Sequence, residues 1–364
     1  MHASPLPDGA PDSYPPENPF DEDPGWAEHS HISPGRWVLT ALSLVLVLAL
    51  LAWGLPRLLD TRWADIVTTL ADLPAWLIPA AVLLGLGALY CEAVTLRAAT
   101  PGSSMPTAIA AQWPASALTL AVPGGSLLGI GASALVLRAR GAAIRTVWAA
   151  IIAFSFVDLA VGGILIPILG ILSYALLALG NDLPGGGWAV VVAALGIAVS
   201  ILALALVLRR KTFVSLLGRA ERSIPGGAGH LPRIMAMRDR VVARLRSRTF
   251  LLFGPMLAAR LLQWAVLLLA THAVGADVPV LALAGIFLVG RTLALVPVTP
   301  GGSGITEAVV ALLLVSLGAG AAPAASAALV LSIATLVVPI VAGGVMAAVV
   351  LPGARRRTAH GTDS

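Results

Sequence analysis

Five ionisable side chains stand inside long apolar runs of this sequence: Glu92, Asp158, Arg260, Arg291 and Glu307. A charge at the centre of a membrane helix costs roughly 2.5 to 3.5 kcal/mol on insertion scales, so one retained there marks a pathway, a pair or a ligand. Arg260 stands twelve residues into its run and Arg291 thirteen into its own, too deep for the guanidinium to reach water along the helix. Two readings of the arginines stand. Either both face a polar cavity and hold an anionic group such as a lipid phosphate, which a guanidinium grips as a fork, or they pair with Glu307 or Asp158 as fixed glue between helices. Glu307 opens a short helical leg, where the dipole favours an acid and amide groups await an anion; as a proton or cation site it would also suit coupled transport. The candidate substrate-contacting set is therefore Arg260, Arg291, Glu307 and Asp158. Glu92, with Arg97, falls near the end of an apolar run and reads as interfacial.

Other chemistries lack their residues. There is no His-Glu-x-x-His, no Gly-x-Ser-x-Gly elbow and no phosphate loop with its lysine, so neither metal hydrolysis, acyl transfer nor nucleotide binding has its apparatus. Of six histidines, His2, His29, His31 and His360 lie in the tails, and the single Cys91 excludes an internal disulfide or a Cys-rich metal site. No catalytic residue, metal or cofactor is expected.

The elements that must position the charged groups follow from composition. Of 364 residues, 58% are hydrophobic and 11% charged, whereas a soluble domain carries roughly a quarter charged residues. Apolar runs at about 37–59, 74–95, 105–122, 127–137, 147–172, 187–208, 249–274, 279–297, 305–318 and 324–351 include six that meet the length of about 20 residues a membrane helix needs. Two neighbouring pairs, 105–122 with 127–137 and 279–297 with 305–318, have a short second leg and read as broken-helix hairpins. The fold class expected is all-α: a polytopic helical membrane protein of about six full spans plus two such hairpins. Residues 1–35, with eight prolines and seven acids, read as a disordered tail; 36–351 form the membrane domain, and 352–364 a cytoplasmic tail.

Charge sets the orientation. With six crossings and two re-entrant hairpins, nineteen of the 23 Lys and Arg fall on one side, only Arg57 and Arg62 on the other, and two within apolar runs. The positive-inside bias makes the rich side cytoplasmic, with both termini there, in the cell membrane. Eleven of these charges lie from Arg209 to Arg248, opposed only by Glu221 and Asp239. The plain reading is a topogenic loop. The sharper one is a surface for anionic lipid, with Ile234, Met237, Val241 and Leu245 at helical spacing on an interfacial helix. Nucleic acid is not expected, because no stacking aromatics are interleaved. Trp37, Trp53, Trp63, Trp76 and Trp188 near run ends read as interface anchors.

Both hairpins break at Pro-Gly-Gly-Ser, at Pro123 and Pro300, 177 residues apart. Proline removes a donor and glycine permits tight backbone, which makes Pro123, Gly124, Gly125, Pro300, Gly301, Gly302 and Gly304 the hinge candidates. The same shift carries the run 74–95 into 249–274 and 147–172 into 324–351. By the charge count the first hairpin enters from the cytoplasm and the second from outside. The two units thus form an inverted repeat, an architecture shared by many secondary transporters.

The stretch Leu295-Val296-Pro297-Val298-Thr299-Pro300-Gly301-Gly302-Ser303-Gly304-Ile305-Thr306-Glu307 resembles the signature of the lysylphosphatidylglycerol synthase transmembrane-domain family, also called the flippase-like domain family. The span arrangement with its mid-chain basic loop is similar over roughly 37–351, and Asp158 resembles a family aspartate. The first hairpin departs from the pattern: Gly129-Ile130-Gly131-Ala132 stands where members often carry Gly-Glu and an arginine. The resemblance implies movement of an anionic lipid, or of a polyprenyl-phosphate-linked envelope intermediate, between leaflets, with no fused synthetase expected. Partners implied are that lipid substrate, anionic lipid at the 209–248 loop, and a cell-envelope biosynthesis enzyme. The rivals are a membrane-embedded lipid head-group transferase component and a non-transporting assembly partner of an envelope enzyme. Product formation with a labelled donor would mark the first rival, and co-purification without exchange the second.

Overall fold

The computed structural model describes residues 55–122, 125–166, 231–293 and 305–360, with 168–169, 172–173, 194, 198 and 201–202. Every regular element among them is helical. After one turn at Leu55–Leu58 come α1 (Trp63–Ala71), α2 (Leu77–Ala99), α3 (Met105–Ala121), α4 (Gly125–Ala139) and α5 (Ile144–Ala160), which runs on through wider π turns at Val161–Leu165. Then follow α6 (Leu231–Ser247), α7 (Thr249–Ala273), α8 (Val280–Leu293), α9 (Ile305–Ser316) and α10 (Ala321–Ser332), joined through π turns at Ile333–Val337 to α11 (Val338–His360). The protein is a polytopic helical membrane protein. Four helices have the length and apolarity to cross: Leu77–Ala99, Ile144–Leu165, Thr249–Ala273 and Ala321–Ala354. The runs 37–59 and 187–208 fall largely outside the described residues, as do the hinge candidates Pro123, Gly124, Pro300, Gly301, Gly302 and Gly304.

Local chemistry sets the helix limits. Ser104 caps α3 by accepting the Thr107 N–H at 3.4 Å, with Pro106 in the first turn where its missing donor costs nothing. Among the described residues α3, α4, α8 and α9 run for 17, 15, 14 and 12 residues, shorter than the four long helices. They pair, α3 with α4 and α8 with α9. Each half of the chain is therefore long, short, short, long.

The 177-residue shift is reproduced in backbone detail. Two residues past the end of α4 stands Gly141, φ +87, and two past α9 stands Gly318, φ +95, left-handed positions where glycine escapes the Cβ clash. After each, an alanine N–H turns back to a leucine carbonyl: Ala142 to Leu137 at 3.1 Å, and Ala319 to Leu314 at 3.1 Å. The next helices then begin at Ile144 and Ala321. Both of these long helices also contain π turns, at Val161–Leu165 and Ile333–Val337.

Packing uses small residues. In a bilayer, helices gain no hydrophobic drive from one another and associate by close contact. α2 lies along α7, and α10 buries Ala324, Ala325, Ala327 and Ala328 among α1, α7 and α9. Val341, Val345 and Val349, one turn apart on α11, are left exposed to lipid. The first hairpin closes through Gly125 and Gly129: an added Cβ would meet Leu118 O at 2.0 Å and Ala115 O at 2.6 Å. This hairpin lies against α11, where a Cβ on Gly343 would stand 2.1 Å from Trp113 O, while one on Gly344 would touch nothing within 4 Å. Gly343→Ala is accordingly expected to destabilise the detergent-solubilised protein by about 1 to 3 kcal/mol, the usual range for overpacking, and Gly344→Ala to leave its thermal midpoint unchanged.

The described end of the basic segment, Leu231–Ser247, forms α6. Its Val241 and Leu245 are buried, and the helix packs against α5 and α7. Val241 and Leu245, expected in the lipid interface, thus face protein.

Candidate functional site

The deepest charged cluster forms where α2, α3, α5 and α7 meet. Arg260 occupies the middle of α7 and is 6% exposed. Its Nη2 donates to Asp158 Oδ1 of α5 at 2.6 Å, and its Nη1 donates to Glu92 Oε1 of α2 at 3.2 Å. Nη1 also reaches Gln263 Oε1 at 3.2 Å, one turn along the same face of α7. The second Glu92 oxygen accepts from Gln112 Nε2 and Ser116 Oγ of α3, each at 3.5 Å. One carboxylate therefore ties Arg260 to the first hairpin. Desolvating such charges is costly, and the arrangement holds because both acids and the Gln263 carbonyl accept from one guanidinium while Gln112 and Ser116 donate to the second Glu92 oxygen.

Arg260 Nε and the indole Nε1 of Trp264, four residues on, are buried without a hydrogen-bond partner among the described residues, as is Trp113 Nε1 beside Gln112. Arg291 on α8 lies close enough to Arg260, Asp158 and Glu92 to feel their charges. It is set among protein atoms, keeps part of its surface accessible and makes no hydrogen bond or ion pair among the described residues. The Asp158 side chain is 46% exposed, against 14% for Glu92. The site thus offers an acceptor-rich group a spare guanidinium fork and one acid that is open on its far side.

Of the expected site residues, Arg260, Arg291 and Asp158 come together and Glu307 does not join them. Glu307 is buried in the first turn of α9 and accepts from Ser332 Oγ of α10 at 2.5 Å; neither arginine pairs with it. Internal pairing, one of the two readings of the arginines, is what Arg260 does with Asp158; Arg291 does not pair among the described residues. Gly125, the one hinge candidate described, begins α4 and packs against α3. Glu92 is not interfacial, although its place near the end of an apolar run suggests it: seven residues of α2 follow it and its carboxylate is part of the cluster. Gln112, Ser116 and Gln263 were not singled out at all. Their signal is positional, being amides and a hydroxyl kept within apolar helices.

A bundle of apolar helices that encloses an arginine between two acids, with short paired helices against it, defines a multi-pass membrane protein with a polar site at membrane depth. The chain belongs to the family described as Lysylphosphatidylglycerol synthase TM region, whose model matches residues 40–343. Membership gives it a lipid-related setting in membrane and envelope biosynthesis. None of the curated proteins compared with the chain matches it.

Proposed function

We propose that the protein moves a phosphate-bearing lipid, either an anionic phospholipid or a polyprenyl-phosphate-linked envelope intermediate, between the leaflets of the cell membrane without altering it chemically. The observation that carries this reading is Arg291, a guanidinium at membrane depth with no protein partner among the described residues, beside an Arg260 whose own charge is already met by Glu92 and Asp158. A phosphate oxygen pair fits such a fork, and the orphaned Arg260 Nε and Trp264 Nε1 supply further donors. The lipid context of the family supports the substrate class. The lack of a paired nucleophile and base favours transport over head-group chemistry. The positive-inside count supports cytoplasmic termini.

Reconstitution into liposomes tests it. Folded protein is expected to move a head-group-labelled phosphatidylglycerol or a polyprenyl phosphate from the inner to the outer leaflet faster than protein-free vesicles. If monodisperse protein exchanges neither lipid, the proposal is wrong.

A further inference from the structure

A second group of arginines lies away from the buried cluster, where α6 turns into α7. Arg240, Arg244 and Arg248 are spaced by four, so they stand on one face, a turn apart. Like charges at that spacing repel, and the acid within α6, Asp239, is engaged by Arg238 at 2.6 Å. Arg244 donates to the Ala99 carbonyl at 2.7 Å and Arg248 to the Ala98 carbonyl at 3.3 Å. Both are open carbonyls at the end of α2, where the helix dipole favours a cation. Arg240 is exposed and makes no hydrogen bond or ion pair among the described residues. The crowding is reflected in Arg244, whose pKa is pushed below its ordinary value first by burial, then by Arg248 and Arg240.

The residues that follow fix the depth of this stripe. Phe250 and Leu251 open α7 at 91% and 59% exposure, and large apolar side chains so exposed at the start of a spanning helix belong in acyl chains. The arginine stripe lies one turn before them, at head-group level. We infer that Arg240, Arg244 and Arg248 form a binding site for the phosphate of an anionic phospholipid of the surrounding leaflet, seated against the C-terminal end of α2. The occupant is lipid rather than a soluble phosphate because Phe250 and Leu251 give its acyl chains an apolar surface beside the charges. The bound phosphate neutralises the repulsion along the stripe and leaves Arg244 and Arg248 on the α2 carbonyls. It thereby fastens α6 to the helix that carries Glu92. This site is separate from the proposed transport site and does not depend on it.

The test uses full-length protein in nanodiscs of phosphatidylcholine, with or without a minor share of phosphatidylglycerol, read by amide hydrogen exchange over α6 and the last turns of α2. Phosphatidylglycerol is expected to slow exchange in the wild type by about fivefold per arginine engaged. Arg240→Gln is the clean variant, since that side chain supports no contact in the fold. It is expected to exchange like wild type in pure phosphatidylcholine and to lose about fivefold of the phosphatidylglycerol effect. An Arg240→Gln protein that responds to phosphatidylglycerol as the wild type does overturns the site. So does a wild type that does not respond, or one that responds equally to added inorganic phosphate.

Discussion

Arg260→Gln is expected to prevent the protein from accumulating in folded form. The substitution removes the cation that joins Glu92 to Asp158, and breaking a buried ion pair such as Arg260–Glu92 from one side costs about 3 to 5 kcal/mol. That is a large share of the roughly 5 to 15 kcal/mol by which folded chains are stable. Size-exclusion profiles and thermal midpoints in detergent measure the effect. The triple variant Arg260→Gln, Glu92→Gln and Asp158→Asn removes all three charges at once, and it is expected to recover most of the lost midpoint. A single variant as stable as the wild type would mean that the Arg260–Asp158 contact at 2.6 Å is not holding α5 to α7.

Arg291→Gln should behave in the opposite way. Its side chain supports no hydrogen bond among the described residues, so the folded protein is expected at normal yield and midpoint. Lipid exchange in liposomes should fall by about 10- to 100-fold, the factor that follows from losing a hydrogen bond to a charged group worth about 1.5 to 3 kcal/mol. Arg291→Lys keeps the charge but loses the planar fork, and an intermediate rate is expected. Unchanged exchange in well-folded Arg291→Gln would remove this arginine from the transport path. The pair of variants separates two roles that the sequence alone left joined: holding the helices together, expected of Arg260, and meeting a lipid, proposed for Arg291.

The repeat was legible because its signal is backbone chemistry. A Pro-Gly-Gly break followed at a fixed distance by a glycine-terminated helix depends on φ and on missing donors, which residue type dictates. The shift read from Pro123 and Pro300 is the shift that relates Gly141 to Gly318. Pairing was less legible. Arg260 lies 168 residues from Glu92 and 102 from Asp158, and nothing local says which acid an arginine will meet. Glu92 was misplaced for a definable reason. Apolarity fades after residue 95, so a run drawn by hydropathy stops there, whereas α2 continues to Ala99 because Arg244 and Arg248 satisfy its last carbonyls. Two π turns in the paired helices left no mark in composition. The close approach of Gly343 to Trp113 could not be told from the other glycines without the partner helix.

That contact sets an order of events during synthesis. The hairpin of α3 and α4 rests on α11, which the ribosome delivers some two hundred residues later, on the order of ten to forty seconds at about 5 to 20 residues per second. Until then Trp113 and Ala117, which meet Gly343 of α11, have only the earlier helices for company. The first hairpin is therefore expected to wait in the bilayer with one face unmatched. Loss of the final helix would be felt at the first hairpin, at the opposite end of the sequence.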